Sequence, residues 1–168
     1  LFRSQDCLSL VAMLEAVAQP HSPVAVKKAL LSCFFAVDPV ALGATEDISD
    51  RRWEDAVSRI REWSLRSDHE QWGRLFGELY AGTDLFQRLR GEPDGKLRIA
   101  AHRQLRNYCI RQLLETHCSL LQLARRLRAL YSGELEERQE EDTFRKETEG
   151  EAVRIISMHS SKGLQFPI

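Results

Sequence analysis

Between Leu8 and Leu130 the apolar residues of this chain recur at intervals of three and four, and most runs are opened by a capping residue and closed by a glycine or proline. That pattern commits most of the chain to α-helix. Ser4 is placed to cap a first helix whose apolar positions Leu8, Val11, Met13, Leu14 and Val17 cover more than one stripe, which predicts a deeply buried helix ending before Pro20. Ser22-Pro23 opens a second, read through Leu30, Leu31, Phe34 and Phe35, and Asp38-Pro39 repeats the device for a short third. After a polar loop around Thr45 to Asp50, Trp53, Val57, Ile60 and Trp63 predict an amphipathic fourth. Ser67 and Glu70 have the spacing of a capping box ahead of Trp72, Leu75, Phe76, Leu79 and Tyr80, with Gly82 as the stop. Residues 83–89 form a short helical turn, and the loop Gly91 to Gly95 follows, where turn chemistry explains Asp94-Gly95-Lys96. From Leu97 a long helix carries Ile99, Leu105, Tyr108, Cys109, Leu113 and Leu114. Ser119 and Gln122 then box a last one through Leu120, Leu123, Leu127 and Leu130, stopped by Gly133.

Residues 134–151 break the pattern, with nine acids, three bases and only Leu135 and Phe144 as large apolar side chains. This is a connector rather than core. Val153, Ile155, Ile156 and Met158 then form the one convincing strand, which has no partner strand in the chain. The expected architecture is all-α, an irregular bundle of about seven helices over 1–133. An acidic connector over 134–151 and a strand-bearing segment over 152–168 complete it.

A chain of 168 residues buries about 70% of its unfolded surface, enough for a core without disulfides or metals. Its net charge of -1 names no partner by itself. No apolar run approaches the roughly 18 residues of a membrane span and no signal-peptide pattern opens the chain, so the expectation is a cytoplasmic protein with no membrane partner. The start at Leu1 without Met and the stop at Ile168, where an apolar segment begins, suggest a fragment. Cys7, Cys33, Cys109 and Cys118 form no CxxC pair, and the histidines sit at none of the usual zinc spacings. The thiols are expected to be buried and reduced, and His21, His69, His102 and His117 to be surface or packing residues. Neither a metal site nor a catalytic centre is expected.

The segment Ile156-Ser157-Met158-His159-Ser160-Ser161-Lys162-Gly163-Leu164-Gln165-Phe166-Pro167 places hydroxyls, an imidazole and a lysine directly after a strand, with a glycine that permits a tight turn. Such a loop suits anionic groups, although a plain polar loop has the same ingredients. Read as a whole it resembles motif V of superfamily 1 helicases of the UvrD and RecB type, whose pattern T-x-H-x-x-K-G-L-E-F/Y-P is matched at His159, Lys162, Gly163, Leu164, Phe166 and Pro167. Phe2-Arg3-Ser4-Gln5-Asp6 with Leu14 and Pro20, then Ala29-Leu30-Leu31 and Phe34-Phe35, are similar to the entry into that family's accessory 2B subdomain. Glu147-Thr148-Glu149 is similar to the exit. Within the family the match is closest to the RecB-like β subunit of exodeoxyribonuclease V.

The resemblance implies that residues 1–133 are a 2B-like subdomain and that 152–168 begin the RecA-like motor (2A-like) domain to which the strand belongs. It implies that Ser157, His159 and Ser161 contact single-stranded DNA, that Lys162 and Gly163 shape the loop joining DNA to nucleotide, and that Gln165 faces the ribose of ATP. Ser157 stands where the family has Thr, and Gln165 where it has Glu. ATP and magnesium are implied for the parent. The remaining helicase domains and other subunits of a helicase-nuclease complex are its implied partners.

No G-x-x-x-x-G-K-[ST] phosphate cradle exists in the chain, so on its own it is expected neither to hydrolyse nor to hold ATP. Between Asp84 and Tyr131 stand ten bases, Arg125 and Arg126 among them, against four acids. This excess suits contact with a duplex backbone, and equally a solvated helix face. Trp53, Trp63 and Trp72 fit core better than base-stacking platforms. The function expected is that of an accessory DNA-binding subdomain of an ATP-dependent DNA helicase acting in unwinding and recombinational repair. The alternative is a free-standing helical protein-interaction module.

Overall fold

The computed structural model describes residues 1–40 and 51–135, and within them the chain forms seven helices and no strand. They are α1 (Gln5–Ala18), α2 (Pro23–Leu31), α3 (Arg51–Asp68), α4 (Trp72–Gly82), α5 (Leu85–Leu89), α6 (Gly95–Thr116) and α7 (Leu120–Ser132). The all-α expectation holds. The polar loop before α3, the continuation of a helix after Val40, the connector beyond Leu135, the strand and every residue of the motif V-like tail lie outside the described residues. Among the described residues no helix is long and apolar enough to cross a membrane.

Helix α1 is the hub. It packs most extensively on α7 and α2 and also touches α3 and α6, which is why Cys7, Leu10, Val11, Met13, Leu14, Ala16 and Val17 are all buried around its circumference. The outer helices bury one stripe each, such as Leu75, Phe76, Leu79 and Tyr80 on α4 and Leu120, Leu123, Leu127 and Leu130 on α7. Trp63 and Trp72 are core residues as expected.

Local chemistry sets most boundaries. The Ser4 and Ser22 hydroxyls accept from the amides of Cys7 and Ala25. Ser119 and Gln122 cap reciprocally, the Ser119 hydroxyl accepting from the Gln122 amide at 3.3 Å and the Gln122 side chain accepting from the Ser119 amide at 2.8 Å. Ser119→Ala should therefore cost about 1 kcal/mol and lower the melting temperature by a few degrees; an unchanged thermal melt would show that the box contributes nothing. Gly133 closes α7 at φ 81, and a Cβ there would sit 2.8 Å from Nη2 of Arg3, so the two ends of the helical unit lie side by side.

Three expectations fail for physical reasons. The second helix does not reach Phe35: Ser32 takes extended backbone, its hydroxyl donates to the Ala29 carbonyl at 2.6 Å, and Ala36 turns at φ 50. Phe34 is nonetheless fully buried, delivered by the turn. Ser67 and Glu70 form no capping box, because α3 runs on to Asp68 and the Ser67 hydroxyl donates back to Ser64 at 2.7 Å. Glu70 then reverses the chain at φ 53, and α4 starts behind Gln71 with no side-chain cap. Leu114, grouped with the apolar positions of the long helix, is 59% exposed because it lies on the outer stripe of α6.

Candidate functional site

Two features of α6 stand out chemically, one on each side of the helix. At about 100° per residue, Lys96, Arg103, Asn107 and Arg111 fall within an arc of roughly 80°, and all four lie on the outer side of the helix, with Lys96, Arg103 and Arg111 exposed. No acid interrupts this stripe. Lys96 and Arg111, with Arg90 before the helix and Arg125 on α7, are exposed and make no ion pair among the described residues. Arg103 lies 6.0 Å over the ring of Phe86 and remains exposed.

Several other bases between Asp84 and Tyr131 are engaged by partners within the chain, so composition overstated the free charge. Arg88 donates to the carbonyls of Cys33 (2.9 Å), Thr83 (3.1 Å) and Phe34. Arg128 pairs with Glu15 at 2.6 Å. Arg126, singled out with Arg125 in the sequence, is half-buried with its Nε on the Tyr108 hydroxyl at 2.9 Å. A substitution there would disturb packing, whereas Arg125 is exposed.

The inner side of α6 presents Arg98 and, one turn on, His102, which is fully buried. His102, expected as a surface or packing residue, is packed in the interior, at the centre of a polar cluster. Its Nε2 lies 3.3 Å from Oδ1 of Asp6 and 3.7 Å from Sγ of Cys33. Its Nδ1 lies 3.3 Å from the Tyr80 hydroxyl, which also donates to the His102 carbonyl at 3.2 Å. Phe34 and Tyr80 meet the imidazole edge-on at 5.6 and 5.7 Å, and Phe86 stacks on Tyr80 at 4.9 Å.

Asp6 enters from the first turn of α1, a favourable place for a carboxylate. Arg98 grips it with Nη2 on Oδ1 at 2.6 Å and Nε on Oδ2 at 3.2 Å, while Nη1 holds Glu92. Burial pushes the Asp6 carboxyl up, but hydrogen bonds from His102 and Arg98 outweigh it and hold the group at about 2. Burial raises the thiol of Cys33 and takes the Tyr80 phenol well above its usual range. The four thiols are free, with Cys7 and Cys109 buried as expected and Cys33 and Cys118 only half-buried. Among the described residues Asp6, Cys33 and His102 bring three metal-ligand atoms within 4.8 Å of one another. Nothing in their spacing announced this, because they are 27 and 69 positions apart along the chain.

Comparison with known proteins gives the chain relatives along its whole length. It is 24% identical over 182 residues to an ATP-dependent helicase/nuclease subunit of Leuconostoc mesenteroides, a match covering 99% of this chain and 14% of that protein. Proteins of the same name from Listeria welshimeri and Listeria monocytogenes are each 23% identical over 190 residues, covering 99% of this chain and 15% of theirs. The chain thus spans about one seventh of the length of the curated relatives it matches. No family model matches it.

Proposed function

We propose that the chain is the helical accessory part of an ATP-dependent DNA helicase subunit of the UvrD and RecB type, with the exposed stripe of α6 as its contact to duplex DNA. The observation that carries this reading is coverage: 99% of the chain aligns within 14% of a helicase/nuclease protein. Such a piece needs no active site of its own, and its fold is a helical bundle with a basic outer face. In the parent, Ser157, His159, Ser161, Lys162 and Gly163 meet the single strand and Gln165 meets the nucleotide, with ATP and magnesium held by other domains. Recombinational repair in the cytoplasm, within a complex with further subunits, is the setting this implies.

Lys96, Arg103, Arg111 and Arg125 are the side chains assigned to phosphate contact. A stripe of this size gives weak, sequence-indifferent binding, with dissociation constants of about 10⁻⁴ to 10⁻⁶ M at physiological salt. Replacing Lys96, Arg103 and Arg111 together by alanine should weaken binding of forked DNA by at least about tenfold and flatten the salt dependence by about one unit for each phosphate left without its cation. Fluorescence anisotropy at two salt concentrations measures both. Affinity indifferent to salt, or to these three side chains, would mean that the stripe is merely a solvated face.

A further inference from the structure

We propose that Asp6, Cys33 and His102 form a zinc site that ties the start of α1 and the turn after α2 to α6. A zinc ion with bonds of about 2.0 to 2.1 Å to imidazole nitrogen, 2.0 to 2.2 Å to carboxylate and 2.3 Å to thiolate, tetrahedrally arranged, separates nitrogen from oxygen by about 3.4 Å and nitrogen from sulfur by about 3.6 Å. His102 Nε2 stands 3.3 Å from Asp6 Oδ1 and 3.7 Å from Cys33 Sγ. Ligands would need to move by only a few tenths of an ångström along those two edges. Three protein ligands leave the fourth position to water, and Cys33, half-buried where the other two are buried, gives the solvent side.

The surroundings provide what a metal-bound imidazole requires of its other nitrogen. With Nε2 on the metal, the ring proton resides on Nδ1, where the Tyr80 hydroxyl accepts it at 3.3 Å and passes its own hydrogen to the His102 carbonyl at 3.2 Å. Arg98 fixes the carboxylate, donating from Nη2 to the same Oδ1 at 2.6 Å and from Nε to Oδ2 at 3.2 Å. The charges balance: zinc is neutralised by one thiolate and one carboxylate, and Arg98 by Glu92. In the metal-free chain a proton shared from Nε2 joins the same groups, so binding exchanges protons for the metal while the Asp6 and Cys33 ligand atoms, within 4.8 Å of one another, close toward the roughly 3.6 Å that zinc requires. The site is independent of the DNA stripe on the other side of α6, and its failure would leave that reading untouched.

The test uses the full chain, stripped with chelator under reducing conditions and titrated with Co²⁺ and with Zn²⁺ against a chromophoric chelator. One equivalent of Co²⁺ should give a thiolate-to-cobalt absorption band with tetrahedral ligand-field intensity, and zinc should displace it. Cys33→Ser should remove the band and weaken zinc binding by at least about tenfold. Cys118→Ser, at the other half-buried thiol, should leave both unchanged. Absence of the band in the wild-type chain, or its persistence in Cys33→Ser, overturns the assignment. Circular dichroism of Cys33→Ser in chelator checks that its fold is intact, and the wild-type titration decides the matter if it is not.

Discussion

Gly95→Ala is expected to destabilise the chain by about 3 kcal/mol and to lower its melting temperature by roughly 10 °C. Gly95 is the first residue of α6, and a Cβ added there would run into the carbonyl oxygen of Leu89, with the Leu89 carbonyl carbon at 2.8 Å. The obstacle is backbone, so no rotamer change relieves it. Either α5 must move, disturbing Leu85 and Leu89, both 1% exposed, or the first turn of α6 must unwind. Gly73→Ala and Gly77→Ala on α4 are the internal controls, since nothing lies within 4 Å of a Cβ at either. There the change should stabilise by roughly 0.5 to 1 kcal/mol through helix propensity. Thermal melts of the three variants read the contrast, and a Gly95→Ala protein that melts with the wild type would show that the close approach is absent in solution.

Asp6→Ala in metal-free buffer should cost about 3 kcal/mol, because it leaves Arg98 with only Glu92 and strands the buried Nε2 of His102. The acid limb of stability should change with it. In the folded chain the Asp6 carboxyl is held at about 2, below its ordinary value of 3.8. A folded value depressed in this way means that its stabilisation is fully present above the unfolded value and is lost as pH falls through the window from about 5 to 2. The size is on the order of 2 kcal/mol. Urea unfolding at several pH values should therefore show the gap between wild type and Asp6→Ala closing as the solution is acidified. A gap that stays constant from neutral pH down to about 3 would contradict the coupling of Asp6 to His102 and Arg98.

The features of this molecule that follow from neighbours in the chain are legible in the amino-acid sequence. Ser4, Ser22, the Ser119 and Gln122 pair and Gly133 act where their spacing puts them, because a cap involves groups three or four residues apart. Ser67 and Glu70 have the right spacing in the wrong place, since the pattern does not reveal that α3 continues beneath it. Phe34 is recognisably apolar but reads as helical, and burial at a turn leaves no periodic trace. The polar cluster is illegible for a different reason. Asp6 and Arg98 meet across 92 positions and Cys33 and His102 across 69, so their pairing exists only once α1, α2 and α6 have packed. The basic stripe is visible as a charge excess, yet its true extent requires knowing that Arg88, Arg98 and Arg128 turn to carbonyls and carboxylates of the chain itself.

The side-by-side placement of Arg3 and Gly133 sets how force passes through the unit. Load applied at those two points does not stretch the bundle along its length. It opens the seam between α1 and α7 from the end where Arg3 meets Gly133, with Phe2 against Tyr108 of α6 close behind, while Arg128 against Glu15 in the last turn of α1 ties the seam further along. A rotation of the whole unit about that end would carry the Lys96 to Arg111 stripe with it and leave the internal packing unchanged. A host joined at that pivot would therefore steer the basic face by rotation alone, with the seam acting as a mechanical fuse.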